Sequence, residues 1–225
     1  MKRPSNLLRP SARLPRRVVQ LFAGLVLYGV SMAFMVESNL GLNPWDVFHQ
    51  GVSKATGISF GVVVLLTGIP VLALWIPLRQ RPGVGTIANL VVIGFVADGT
   101  LALLVPGGSM AMRITYLVTG IALNAVATAM YIGARFGPGP RDGLMTGIVR
   151  RWPRLSIRLV RTSIEVLVLG TGFLLGGTLG VGTVVYALGI GPLVQLFMAT
   201  FAVPEEEAAA TTAPEPQHPE PVPAT

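Results

Sequence analysis

Apolar residues dominate six stretches of the chain, and shorter polar segments separate them. Each stretch holds about 20 residues, the length that an α-helix needs to cross the hydrocarbon core of a membrane. Hydrophobic residues make up 52% of the chain and charged residues only 12%, whereas a soluble domain carries about 25% charged residues. We therefore predict an all-α, polytopic transmembrane helix bundle with six spans, at residues 18–37, 59–78, 84–104, 114–134, 157–177 and 182–202.

The chain also contains an internal repeat. Arg17–Gly51 aligns with Arg113–Gly147 at a shift of 96, with ten identities in 35 positions. Further along the shift becomes 97, and Gly-Val-Gly-Thr at 83–86 falls on the same four residues at 180–183. Many transporters build a central site from two such halves. The alignment predicts two membrane repeats of three spans each, at 17–105 and 112–202.

Basic residues predict the orientation of the spans, because segments rich in Lys and Arg stay in the cytoplasm. They cluster in the leader 1–16, in 79–83 and in 135–155, and the segments between these are poor in them. The three clusters lie on alternate sides of successive spans, so both termini are predicted to be cytoplasmic. Because each half has an odd number of spans, the second half is predicted to be inserted upside down relative to the first.

The two ends of the chain differ from its apolar middle. The Arg-rich leader 1–16 resembles the start of a secretory signal, but the apolar run that follows is too long for one. We therefore interpret it as a basic cytoplasmic leader before an uncleaved first span. Residues 203–225 are rich in Pro, Ala and Glu and lack apolar periodicity, which predicts a disordered acidic cytoplasmic tail.

A short helix is predicted after the first span of each half. Asn-Pro-Trp-Asp at 43–46 and Gly-Pro-Arg-Asp at 139–142 both place Pro at the first helical position and Asp in the first turn, where each is favoured. The helices, at 44–55 and 140–152, are too short to cross the membrane. They lie at the interface, or they enter the membrane as half-helices whose N-termini bind a solute. The candidate binding residues here are Asn43, Asp46 and Asp142.

These motifs resemble a known family. LGLNPWDVFHQG at 40–51, GPGPRDGLMTG at 137–147 and the two GVGT segments are similar to the YczE/YyaS/YitT family of bacterial integral membrane proteins, above all to its YczE-like branch. The resemblance covers about residues 17–200. It implies a multi-pass protein of the bacterial plasma membrane, and it implies no substrate, catalytic residue or cofactor.

Charged residues form a stripe on the predicted fifth span. Arg158, Arg161 and Glu165 share one helical face, whereas the equivalent positions in the first half are Gly61, Val64 and Gly68. Charged side chains within a span are costly and usually functional. The stripe is either a binding site or an ion pair within the helix, with Arg158 reaching the headgroups.

Three further polar or helix-bending positions complete the candidates. Asp98 and Gln195 occupy equivalent positions late in the third and sixth spans, and face each other across the repeat axis unless Asp98 lies at the outer surface. Pro192 is predicted to bend the sixth span and act as a hinge, because proline removes a backbone hydrogen bond. The lone membrane-region histidine, His49, is predicted to be an interfacial residue beside Trp45, so no metal site is expected.

The sequence favours a secondary transporter or exporter of a small, anionic solute, working by alternating access. No nucleotide-binding, metalloprotease or serine-hydrolase motif is present, so we expect neither an enzyme nor a cofactor. The basic residues flank spans, where they meet lipid headgroups rather than nucleic acid. The alternative is a non-transporting accessory protein of another membrane or biosynthetic system. A homo-oligomer and a membrane partner protein both stay open.

Overall fold

The computed structural model describes residues 14–202, which form eight α-helices and no β-strand. The predicted tail at 203–225 and all but the last three residues of the predicted leader lie outside the described residues. The helices are α1 (Leu14–Ser38), α2 (Pro44–Thr56), α3 (Phe60–Ala73), α4 (Val84–Leu101), α5 (Met110–Gly133), α6 (Pro140–Arg151), α7 (Ile157–Leu174) and α8 (Val181–Phe201).

Four of these helices, α1, α4, α5 and α8, are long and apolar enough to cross a membrane. The consecutive helices α2 and α3 bend by 114° at a short break and become a fifth candidate if they form one broken span. Helix α7 has 18 residues but carries the three charges of the predicted stripe. The described chain is thus an all-helical protein with four or five candidate spans, against the six that the sequence predicts.

The second predicted span, at 59–78, is shorter in the structure. Helix α3 ends at Ala73, and turns follow as far as Arg79, which adopts a left-handed conformation with φ 53°. Pro77 explains the early end, because a proline disfavours helical geometry at the residue before it. At 14 residues, α3 rises about 21 Å, less than the ~30 Å hydrocarbon core.

The two longest helices, α1 and α5, are equivalent in the repeat and pack side by side in opposite directions. Equivalent glycines allow the close approach. A Cβ atom on Gly24 would lie 2.9 Å from the backbone nitrogen of Tyr131, and one on Gly120 would lie 2.6 Å from Cγ of Met35. The centre of the bundle is therefore a contact between the two halves.

Two equivalent arginines cap this antiparallel pair at its opposite ends. Arg17 donates from Nε to the carbonyl of Ala134 (3.2 Å) and from Nη2 to that of Arg135 (3.4 Å). Arg113 donates in the same way to the carbonyls of Ser38 (2.8 Å) and Asn39. Each arginine thus binds carbonyls at the C-terminal end of the other half's first helix, where a cation is favoured.

We expect Arg17→Ala to lower the free energy of unfolding by about 1.5–3 kcal/mol, because hydrogen bonds that involve charged groups contribute that much. Arg16→Ala is the matched control: Arg16 is adjacent and exposed, whereas Arg17 is only 3% exposed. Thermal unfolding of the purified protein in detergent measures both. Equal losses in the two variants would contradict the capping role.

The halves also exchange contacts through the Gly-Val-Gly-Thr segments, which begin α4 and α8. Gly85 N–H donates to the carbonyl of Phe136 (3.0 Å), and its equivalent Gly182 N–H donates to that of Leu40 (2.8 Å). Each segment therefore packs on the chain between the first span and the short helix of the other half. These contacts position the starts of α2 and α6.

Candidate functional site

A cavity of about 560 Å³ lies between the N-terminal ends of α2 and α6. Both short helices begin at its wall, with Pro44 and Pro140 as their first residues. Helices from both halves supply the rest of the lining, namely α1, α3, α4, α5, α7 and α8. Its size lies in the ~300–1,000 Å³ range of small-molecule sites.

The start of α2 holds a buried acid, Asp46. Asn43 caps the helix, accepting from the backbone N–H of Asp46 (3.0 Å), and its side-chain amide donates back to the Asp46 carboxylate. His49 Nδ1 lies 3.3 Å from Oδ1 of the same carboxylate. Asp46 is fully buried and His49 is 1% exposed, so the local fold holds this carboxylate rigidly behind the cavity wall.

Arg141 brings the second half into this cluster. Its Nη2 lies 3.5 Å from Oδ1 of Asp46, and its guanidinium stacks over the ring of Trp45 at 4.9 Å. Arg141 and Trp45 are equivalent positions in the sequence repeat, and they are in contact across the two halves. Trp45 itself lines the cavity and is 7% exposed, and its Nε1–H has no acceptor among the described residues.

The start of α6 presents the equivalent acid, Asp142, which lines the cavity. The hydroxyl of Tyr131 donates to its Oδ2 at 3.2 Å. Within residues 14–202, no Arg or Lys forms an ion pair with Asp142. The two equivalent acids therefore differ: Asp46 is fully enclosed and paired, whereas Asp142 faces the cavity.

Helix α7 contributes the charged pair that the sequence singled out. Arg161 Nε donates to Oε1 of Glu165 at 3.0 Å, and both line the cavity with side chains that are 59% and 33% exposed. The pair therefore sits at an open edge of the cavity. Arg158, on the same face, does not line it.

Gln195 lines the cavity, but its equivalent Asp98 does not. The Asp98 carboxylate instead accepts from Ser59 Oγ and from the backbone N–H of Gly61 (2.6 Å), at the start of α3. The two residues therefore do not face each other. Five of the predicted site residues line the cavity: Asn43, Asp142, Arg161, Glu165 and Gln195.

Pro192, the predicted hinge, lies within α8 beside the lining residue Gly191, and α8 is assigned as helix without interruption from Val181 to Phe201. His49 is beside Trp45 as predicted, with ring centroids 6.4 Å apart, and its buried side chain contributes to the cavity lining.

Several lining residues were missed by sequence reasoning, which assigned Arg141 to a cytoplasmic loop and passed over the tyrosines Tyr28, Tyr131 and Tyr186. The repeat alignment could have pointed to two of these residues, Tyr28 and Tyr186. Tyr28 is equivalent to Asn124, and Asn89 is equivalent to Tyr186. In the structure Tyr186 OH donates to Asn124 Oδ1 at 2.9 Å, and Tyr28, Asn89 and Tyr186 line the cavity, so this swapped Tyr/Asn pattern marks polar positions at or beside the cavity.

Comparison with known proteins places the chain in a family. The family described as "Family of unknown function (DUF6198)" matches residues 15–199. The chain belongs to the DUF6198 family. No solved structure matches it.

Three relatives of this DUF6198 chain span most of its length. An uncharacterized protein of Haemophilus influenzae is 40% identical over 82% of this chain and 84% of its own. The uncharacterized membrane protein YczE of Bacillus subtilis is 27% identical over 86% and 93%, and YyaS of the same organism is 26% identical over 78% and 89%. The resemblance to a YczE-like family is confirmed. With its apolar helices, this chain is an integral membrane protein.

Proposed function

We propose that this protein is a secondary transporter of a small solute, in which two inverted three-span halves alternate access to the cavity between α2 and α6. The observation that carries the proposal is the cavity itself, which is bounded by equivalent helix N-termini from both halves. Discontinuous helices that begin near the middle of the membrane are how inverted-repeat transporters hold solutes and ions. The protein lies in the bacterial plasma membrane with both termini in the cytoplasm.

Contacts between equivalent residues support the inverted repeat. Arg17 and Arg113 make the same hydrogen bonds at opposite ends of α1 and α5, as expected if the halves run in opposite directions. Six spans follow if α3 and α7 each cross the membrane together with the short helix before it. The motion between the halves then occurs around the contact of Trp45 with Arg141.

The charged residues in and behind the cavity wall change what we predict for the charge of the solute. Two positive helix ends suggested an anion, but Asp46 and Asp142 already occupy those ends. Arg141 and Arg161 supply positive charge, and each is close to a carboxylate, of Asp46 and Glu165 respectively. An anionic group on the solute therefore binds at arginine N–H groups that these pairs leave available. The sequence holds no nucleotide-binding motif, so the proposed transport is driven by a gradient, and no catalytic activity belongs to the proposal.

Ligand-dependent thermal unfolding of the detergent-purified protein tests this proposal. The panel contains small anions, amino acids, peptides and lipids. A ligand that binds only the folded state should add about 2.7 kcal/mol of stability at a hundred times its dissociation constant. Arg161→Gln should remove the shift, whereas Arg81→Gln, an exposed residue outside the cavity, should keep it.

Flux of the stabilising compound into proteoliposomes then separates transport from binding. Flux that Arg161→Gln abolishes and Arg81→Gln preserves supports the transporter. A panel without any shift or flux would contradict it and favour the accessory role. Copurification of one stoichiometric membrane partner would be the next expected result in that case.

A further inference from the structure

The two halves differ in how closely their last two helices pack, which are α3 and α4 in the first half and α7 and α8 in the second. In the first half α3 packs closely on α4, and a Cβ atom on Gly61 would lie 1.9 Å from the carbonyl oxygen of Gly94. The equivalent helices α7 and α8 hardly touch. A Cβ on Gly191, the equivalent of Gly94, would meet nothing within 4 Å. The second half therefore contains a gap that the first half lacks.

The sequence explains this gap. Small residues let membrane helices approach closely, and α3 places Gly61 and Gly68 against α4. Their equivalents on α7 are Arg158 and Glu165. Large charged side chains cannot fit where two backbones touch, so α7 stands away from α8. The charged stripe is thus the reason that the helices are apart.

The cavity is open on the side of this gap. The lining residues Val64, Gly68 and Ile93, which come from α3 and α4, are buried. On α7 and α8, by contrast, Arg161 and Gln195 line the cavity and are exposed. The exposed part of the lining is therefore on the side of α7 and α8, where these two helices stand apart.

Four arginines lie at and just before the start of α7, which borders the gap. Arg158 is the second residue of α7, where the positive end of the helix adds to its own charge. Arg150, Arg151 and Arg154 precede it, all are exposed, and none of the four forms an ion pair within residues 14–202. Asp142 is in the opposite situation, because the start of its helix stabilises a carboxylate. Among the described residues, the charge near the start of α7 that lacks an ion-pair partner is therefore positive.

Both helices that border the gap also expose apolar side chains at the outside of the bundle. The exposed apolar residues are Leu159, Val166 and Leu167 on α7, and Val184, Leu188 and Leu196 on α8. A hydrocarbon tail can stay against these residues and the lipid while a charged headgroup moves between the helices. A free anion from water would interact with the arginines but would gain nothing from the exposed apolar side chains or the lipid.

We propose that the cavity takes an acidic amphiphile, with a phosphate or carboxylate headgroup and a hydrocarbon tail, sideways through the gap between α7 and α8. Arg158 and the neighbouring arginines attract the headgroup from the membrane surface, and Arg161 receives it at the cavity edge. This inference rests on the proposed transporter and names its solute class.

Single-cysteine labelling tests the gap, because the natural chain contains no cysteine. Val194 lines the cavity on α8, and its equivalent Ala97 is 0% exposed in the first half. We expect Val194→Cys to react with a small water-soluble maleimide in phosphatidylcholine vesicles and Ala97→Cys not to react. Leu188→Cys is the lipid-facing control, since Leu188 is 75% exposed but does not line the cavity, and a thiol in hydrocarbon forms little reactive thiolate.

Dodecyl phosphate is the probe for the occupant. At ten times its dissociation constant it should slow the labelling of Val194→Cys about tenfold by mass action. Glycerol phosphate, which lacks the tail, and dodecyltrimethylammonium, which has the opposite charge, should not protect at the same concentration. Arg158→Gln should raise the concentration of dodecyl phosphate needed, whereas Arg81→Gln should not.

Four results would overturn the inference. An unreactive Val194→Cys means that the gap is closed. Protection by glycerol phosphate equal to that by dodecyl phosphate means that the solute is a water-soluble anion, and the proposed transporter then survives without the sideways route. Absence of protection by dodecyl phosphate, with flux of another compound in proteoliposomes, rejects the amphiphile alone. Absence of both protection and any flux rejects the transporter as well.

Discussion

Replacing Asp46 with alanine is expected to lower the free energy of unfolding by about 3–5 kcal/mol, the cost of removing one partner of a buried ion pair. The carboxylate accepts from the Asn43 amide, lies 3.3 Å from His49 Nδ1 and pairs with Arg141 at 3.5 Å. All three lose their common partner in Asp46→Ala, and Arg141 is left charged and largely enclosed. Chemical or thermal unfolding in detergent measures the loss.

The repeat supplies the control for this variant. Asp142→Ala removes the equivalent carboxylate, which accepts one hydrogen bond from Tyr131 and faces the cavity. Its expected cost is about 1 kcal/mol, the usual net contribution of one hydrogen bond. Similar losses in the two variants would contradict the enclosure of Asp46 and its pairing with Arg141.

A double variant tests whether Arg141 causes the loss. Asp46→Leu combined with Arg141→Leu should recover part of the stability that Asp46→Leu loses, because an apolar pair often replaces a buried ion pair without cost. The two side chains are in contact, so their effects should not add. Additive losses would show that the ion pair does not couple them.

Local helix chemistry made the two short helices predictable from the sequence. An expected helix at 44–55 is found at Pro44–Thr56, and one at 140–152 is found at Pro140–Arg151. Asn43 caps the first as expected. Each of these features depends on residues a few positions apart, which the sequence shows directly. The ion pair of Arg161 with Glu165 was predictable for the same reason.

Short-range sequence patterns of this kind could not predict the position of Arg141. The distribution of Lys and Arg among loops predicts which side of the membrane a segment faces, but it does not give the depth of any one arginine. Arg141 is the second residue of α6, whose start lies at the cavity. Its partner Asp46 is 95 positions earlier, and only the packing of the two halves brings them together.

The difference between the two halves was visible but not interpretable in the sequence. The repeat aligns Gly61 and Gly68 of the first half with Arg158 and Glu165 of the second. From the sequence alone, a binding site and an ion pair explain this charged stripe equally well. The separation of α7 from α8 depends on how closely backbones approach. The distance between the α7 and α8 backbones depends on the packing of the whole bundle, which the sequence does not give.

Gly172→Ala should destabilise the protein by about 1–3 kcal/mol or more, the usual cost of forcing extra atoms into a packed contact. Gly172 is where α7 crosses α2, and a Cβ there would lie 2.4 Å from Cα and N of Phe48. Those are backbone atoms of α2, so they cannot yield as the end of a side chain would. The two helices must move apart instead, which displaces Trp45, in the cavity wall on α2, relative to Arg161 and Glu165 on α7.

Gly170→Ala is the same substitution two residues earlier on α7, and it should have the opposite sign. A Cβ on Gly170 would meet nothing within 4 Å, and alanine in a helix is favoured over glycine by up to about 1 kcal/mol. Unfolding in detergent compares the two, and ligand protection of a cysteine at Val194 reports on the cavity. We expect Gly170→Ala to keep that protection and Gly172→Ala to weaken it, because α2 carries one wall of the site. If both variants gain stability, α2 and α7 do not touch at Gly172 and the cavity wall is built differently.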